Sequence, residues 1–157
     1  MIDSNKKHIV LVVEDDADDF FLISRILKTV DFKFKFDIIW VKDGLEAMDY
    51  LLRREKWQDP ALSPLPSLIL LDINMPKKNG LEVLKEIKTH ETLKNLITII
   101  FTSSKNELNI VLSYELGANS YIHKSSEIDQ LEKKIKLLFS YWLEVAELPS
   151  RASDHSS

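Results

Sequence analysis

The sequence contains no cysteine. A disulfide framework, a cysteine-zinc site and thiol catalysis are therefore excluded. A long hydrophobic run is missing as well. Residues 1–8 are polar overall, and the apolar stretch at residues 9–13 is too short for a signal-peptide core or a membrane span. A cytoplasmic protein with no membrane association is the expectation. Nor is there an excess of positive charge: the net charge is -4, so no general electrostatic case exists for a nucleic-acid partner. The basic pairs Lys77-Lys78 and Lys133-Lys134 are short, mixed with acids, and read as solvated surface. Internal repeats are absent, and the only biased segment is the polar tail at residues 150–157.

What is present suffices for one domain with a real core: 157 residues, 45% of them hydrophobic. Residues 9–13, Ile-Val-Leu-Val-Val, form a β-branched apolar run ended by acids. Such a run reads as a strand buried on both faces, as in a parallel sheet. Phe21, Leu22, Ile26, Leu27 and Val30 then follow a helical period. Strands are predicted again at 36–41, 68–71, 97–101 and 120–122. Helices are predicted around 45–52, 81–87, 108–116 and 127–145, with Gly117 placed to cap the fourth. Residues 56–67 carry three prolines and no clear period, which predicts a loop. Asp43-Gly44 reads as a turn. Disordered ends are expected at 1–8 and 150–157, flanking a domain at 9–149. Strands alternating with helices imply an α/β fold, and right-handed crossovers narrow it to a doubly wound parallel sheet.

In such sheets the site lies outside the carboxyl ends of the strands. Every predicted strand but the second ends there in a group capable of chemistry. The first runs into Glu14-Asp15-Asp16, the third into Asp72, the fourth into Thr102-Ser103-Ser104, and the fifth leads to Lys124. One Asp at a strand end is most often a helix cap, one Thr is ordinary strand surface, and one Lys is solvated. All of them at one edge of one sheet are harder to dismiss. Several carboxylates together repel, and a hard divalent cation such as Mg2+ relieves the repulsion. Lys124 and the Thr102 hydroxyl would stabilise the oxygens of a transferring phosphoryl group. A carboxylate can act as the nucleophile and form an acyl phosphate.

The segments Leu-Val-Val-Glu14-Asp15-Asp16, Leu-Leu-Asp72-Ile-Asn74-Met-Pro with Gly80, Phe-Thr102-Ser-Ser104, and Leu-Gly-Ala-Asn-Ser-Tyr121-Ile-His-Lys124 together resemble the receiver domains of two-component response regulators. The resemblance covers residues 9 to about 145. It implies a flavodoxin-like five-stranded parallel sheet, order 2-1-3-4-5, with helices on both faces. It also implies that Asp72 is the phosphoacceptor, that Asp15 binds Mg2+ directly, Glu14 through water and Asn74 through its carbonyl, and that Thr102 and Lys124 bind the phosphoryl group. Tyr121 would be the aromatic that changes rotamer with Thr102, and Asn74 and Ser104 would border the path of the hydrolytic water. Such a protein is a signalling phosphoacceptor that assists its own phosphotransfer and dephosphorylation, rather than an enzyme. Glu14 replaces the commoner Asp, and Ser125 stands where many receivers have Pro, so a trans bond is expected after Lys124.

The loop before Leu68, the stretch Ser113 to Asn119 and the ending Tyr-Trp-Leu-Glu-Val-Ala-Glu-Leu-Pro are similar to regulators of the cyanobacterial phytochrome type. That narrower resemblance implies a histidine kinase partner, phytochrome-like, and a homodimer. Nothing after the last helix is long enough for a DNA-binding domain, so the output is expected to be protein contact. Surplus apolar residues near the end of the last helix, Phe139, Tyr141, Trp142 and Val145, are the expected dimer interface. Three rivals are weighed against this reading. A haloacid-dehalogenase-type phosphohydrolase would have its nucleophile after the first strand and an Asp two residues on, where Asn74 stands here. A pseudo-receiver that binds partners without phosphorylation would not need the intact set Asp15, Asp72, Thr102 and Lys124. A flavin binder would need a phosphate-cradling loop where Glu14 to Asp16 repel phosphate. The four histidines are scattered and receive no role.

Overall fold

The computed structural model describes residues 7–149. Five strands, β1 (His8–Val13), β2 (Phe36–Val41), β3 (Leu68–Leu71), β4 (Ile97–Thr102) and β5 (Ser120–His123), form one sheet. All neighbours are parallel, in the order β2-β1-β3-β4-β5. The helices are α1 (Ala17–Thr29), α2 (Gly44–Leu51), α3 (Gly80–Thr89), α4 (Glu107–Glu115) and α5 (Ile128–Ser140). The fold class and strand order match the sequence-based expectation.

Side-chain alternation along the strands divides the core in two. Leu11, Val13, Ile69, Leu71 and Ile100 face Met48, Val83, Leu84 and Ile87 of α2 and α3. Val10, Val12, Leu70, Ile99 and Phe101 face Ile23 and Ile26 of α1 and Ile135, Leu138 and Phe139 of α5. Each fully buried aliphatic side chain contributes about 1.5–3 kcal/mol of transfer free energy. Burial on both faces is why β1 and β3 read as continuous apolar runs and why β4 is interrupted only by the buried Thr98 before its end at Thr102.

Side chains also set the helix starts. Asp16 accepts hydrogen bonds from the Asp18 and Asp19 amides and caps α1. Asp43 accepts from the Glu46 amide, so Asp43-Gly44 opens α2 rather than forming a free turn. At the other end of α4, the Gly117 amide bonds the Tyr114 carbonyl and the Ala118 amide bonds the Ser113 carbonyl. Gly117 adopts φ 102° there, a left-handed C-cap that a Cβ would disfavour.

Three expectations need correction. The expected disordered lead, 1–8, is too long: His8 opens β1 and Lys7 pairs with Asp37 at 2.9 Å. Its remainder and the expected tail, 150–157, lie outside the described residues. The 56–67 segment is the expected loop apart from a short 3-10 turn, Glu55–Trp57, at its start. It is further tied by Tyr50 Oη donating to the Pro64 carbonyl and Ser63 Oγ donating to the Trp57 carbonyl. The last helix does not run evenly to Val145, because α5 ends at Ser140 and a π turn spans Tyr141–Val145. Finally, Phe139 does not belong to the expected interface: it is fully buried against Phe32 and Phe36. Trp142 is half-buried against the same cluster, whereas Tyr141 and Val145 are exposed.

Candidate phosphoryl and metal site

The acidic site is built at the carboxyl edge of the sheet. The Glu14 amide bonds the Val41 carbonyl and the Asp72 amide bonds the Val13 carbonyl. Those two bonds fasten the end of β1 to β2 and β3 and fix the acids side by side. One carboxylate oxygen each of Glu14, Asp15 and Asp72 lie within 4.8 Å of one another. Glu14 and Asp72 are buried, while Asp15 faces solvent. Asp16, the third acid of the run, is spent on capping α1 and is not part of the cluster.

Lys124 supplies the counter-charge. Its ammonium donates to Glu14, to Asp19 Oδ2 at 3.2 Å and to Asp72 Oδ2 at 3.4 Å. The Lys124 amide bonds the Thr102 carbonyl at 2.7 Å, which anchors the chain leaving β5 to the end of β4. No cis bond occurs among the described residues, so the Lys124–Ser125 bond is trans. Burial alone would lower the Lys124 pKa. The attraction of Asp72, the bond to Glu14 and the charges of Glu14 and Asp19 outweigh it and raise the value. Burial pushes Glu14 the other way, up to about 7, against the lowering effect of Lys124.

Asp72 has an unequal pair of oxygens. Oδ2 meets Lys124, while Oδ1 is buried and has no hydrogen-bond partner. A buried acceptor left unmatched costs free energy, so its presence points to a ligand. Three clustered carboxylates with one oxygen unmatched fit a hard, oxygen-preferring divalent cation.

Gly80 lies directly under this residue. A Cβ there would sit 2.1 Å from the Asp72 carbonyl oxygen, so only glycine permits the loop to close behind the acid. The Gly80 amide bonds the Ile73 carbonyl at 2.9 Å and completes that closure. Asn74 stands exposed on the same loop.

The register of β3 and β4, with Leu71 opposite Ile100, brings Thr102 to the edge where Asp72 lies. Thr102 is fully buried and its hydroxyl oxygen accepts from the Ser104 amide at 3.4 Å. Tyr121 Oη donates to the Ser104 carbonyl at 2.8 Å. Thr102, Ser104 and Tyr121 are thus joined through one short loop, and Ser104 Oγ accepts from Asn109 Nδ2 at 3.1 Å.

The model of the response regulator receiver domain matches residues 10–136. The chain belongs to the response regulator receiver family. Response regulator Rcp1 of Synechocystis is 40% identical over 148 residues, spanning 94% of this chain and 97% of Rcp1. The crystal structure of the Mn(2+)-bound form of Rcp1 superposes with a TM-score of 0.83, covering 91% of this chain and 99% of that one. The phosphorylated cyanobacterial phytochrome response regulator RcpA, at 39% identity, also gives 0.83, with 92% and 100% covered.

This receiver domain thus carries the acidic pocket in which members of its family hold Mg2+ or Mn2+. The geometry unites Glu14, Asp15, Asp72 and Lys124 and leaves the last-helix aromatics apart from them. Two residues near the receiver site escaped the sequence reading. Asp19 reaches Lys124 from the first turn of α1. Asp15 precedes α1, so no helical spacing joins it to Asp19 and nothing local points to the contact. Trp40 donates through Nε1 to the Glu14 carbonyl at 2.8 Å and stacks on Phe20 at 4.2 Å. No local pattern announces that bond, which spans 26 residues.

Proposed function

We propose that Asp72 accepts a phosphoryl group from a partner histidine kinase and that the resulting charge rearranges a protein-binding face of this response regulator. The observation that carries the proposal is the asymmetry of Asp72: Lys124 holds Oδ2, and Oδ1 has no partner. One oxygen of the Asp72 carboxylate attacks the phosphorus of a phosphohistidine while the other stays free to ligate the cation. The P–N bond breaks as the O–P bond forms, and the imidazole leaves with the electron pair and takes up a proton. In hydrolysis, water attacks the phosphorus and Asp72 departs as the carboxylate. Glu14, Asp15, Asp72 and the Asn74 carbonyl would hold Mg2+, which when bound neutralises the acids and the phosphoryl oxygens. Lys124 and Thr102 bind those oxygens.

Tyr121 is the proposed relay of the switch. Its bond to the Ser104 carbonyl ties it to the loop that begins at Thr102. Movement of Thr102 toward a phosphoryl oxygen pulls that loop and alters the face formed by α4 and β5. Supporting this, α4 buries only Ser113 and leaves Leu108, Val111 and Tyr114 exposed. Asn74 and Ser104 flank the acid and tune hydrolysis.

Residues 9–149 are taken as the receiver domain with its C-terminal extension, in a cytoplasmic protein that binds neither nucleic acid nor membrane. No described helix is long and apolar enough to cross a membrane. The likeness to RcpA, a cyanobacterial phytochrome response regulator, favours a phytochrome-like kinase. A homodimer is proposed through Tyr141 and Val145, with Leu137 one turn earlier, all exposed. The functional test is phosphotransfer from an autophosphorylated phytochrome-type histidine kinase. Label should pass to this chain and not to Asp72→Asn. Equal label on the natural chain and on Asp72→Asn would refute the assignment.

A further inference from the structure

An ammonium group has three N–H donors. In Lys124 all three are committed, to Glu14, Asp19 and Asp72. A phosphoryl oxygen arriving at Asp72 therefore needs one of these bonds to be released. The three acceptors are not equally replaceable. The side chains of Glu14 and Asp72 are only 2% and 9% exposed, so neither can turn to water. The Asp19 side chain is 44% exposed. A carboxylate in water loses little when a lysine leaves it, whereas a buried one is left uncompensated.

Space for the exchange exists. Beside the Asp19–Lys124 pair lies a cavity of about 200 Å3, bounded by Leu22, Phe101, Ser125 and Leu131. It lets water follow the Asp19 carboxylate as it lets go. Asp18, on the same turn, is exposed and is not a partner of Lys124.

We propose that Asp19 is a positioning residue, a releasable third anchor that parks Lys124 in the unphosphorylated chain and yields its hydrogen bond to the incoming phosphoryl oxygen. The proposal rests on Asp72 being the acceptor. Asp19 touches neither the metal cluster nor the phosphoryl group, and it acts through Lys124 alone. Its carboxylate competes with the phosphoryl oxygens for one donor. Removing it should speed acceptance.

The test is the rate at which the full chain is phosphorylated by phosphoramidate with Mg2+, followed by intact mass. Asp19→Asn should react about two- to fivefold faster than the natural chain. Asp19→Glu, which keeps the carboxylate, should stay near the natural rate, and so should Asp18→Asn. An unchanged or slower Asp19→Asn overturns the proposal while leaving Asp72 as acceptor. An equal rise in Asp18→Asn, or in Asp19→Glu, also overturns it, since bulk charge or altered packing would then be the cause. If the natural chain gains no phosphoryl group, or gains it equally with Asp72→Asn, the acceptor assignment falls and Asp19's role with it.

Discussion

Glu14 and Lys124 form a buried ion pair between the end of β1 and the end of β5, 110 residues apart. Its two members respond to burial differently. Glu14, at about 7, carries a proton over part of the neutral range when no metal is bound. The folded chain then holds more protons than the unfolded one between the ordinary value of 4.5 and about 7. The stability that goes with this proton is complete below the unfolded value and is lost as pH rises through about 7. In chelator, the urea midpoint should fall across that window, and Glu14→Gln should flatten the fall. The cation displaces that proton, so Mg2+ binding should tighten as pH rises through about 7. Titration calorimetry in two buffers would read the released proton.

Lys124→Met leaves Glu14 and Asp72 facing each other without a cation. In chelator at pH about 8 the loss should be about 2–4 kcal/mol, because breaking a buried pair strands its partner. Near pH about 5.5 the loss should shrink, since Glu14 takes up a proton there. Mg2+ should recover part of it. Equilibrium urea unfolding at the two pH values measures the difference.

Gly80→Ala puts a methyl group 2.1 Å from the Asp72 carbonyl oxygen, which is backbone and cannot step aside. A cost of about 2–4 kcal/mol is expected, together with weaker Mg2+ binding as the loop shifts. Unfolding midpoints and metal titration of the same sample would report both.

The strands were legible because a strand buried on both faces leaves an uninterrupted apolar run, as in Leu-Ile-Leu-Leu before Asp72. The acids were legible for the same reason: each follows such a run directly. Asp19 was not, because its meeting with Lys124 depends on how α1 lies across the sheet. Phe139 is marked as core by its period rather than by its place near the helix end. It shares a helical face with Ile135 and Leu138, and that face covers the sheet. The order in residues 56–67 comes from side chain to backbone bonds such as Tyr50 to Pro64, which leave no periodic trace.

The exposed stripe Leu137, Tyr141 and Val145 should carry self-association. Tyr141→Glu should lower the sedimentation mass at micromolar concentration without changing the free energy of urea unfolding by more than about 0.5 kcal/mol. Phe139→Ala should do the opposite. It should cost about 3–5 kcal/mol of stability through the cavity it leaves in the monomer core.

The most direct measurement is the intact mass of the chain after incubation with phosphoramidate and Mg2+, followed by fragmentation to locate the modification. The expected result is one added phosphoryl group on Asp72, lost in chelator and absent from Asp72→Asn. A phosphoryl group carried by any other residue, or none at all, would contradict the site.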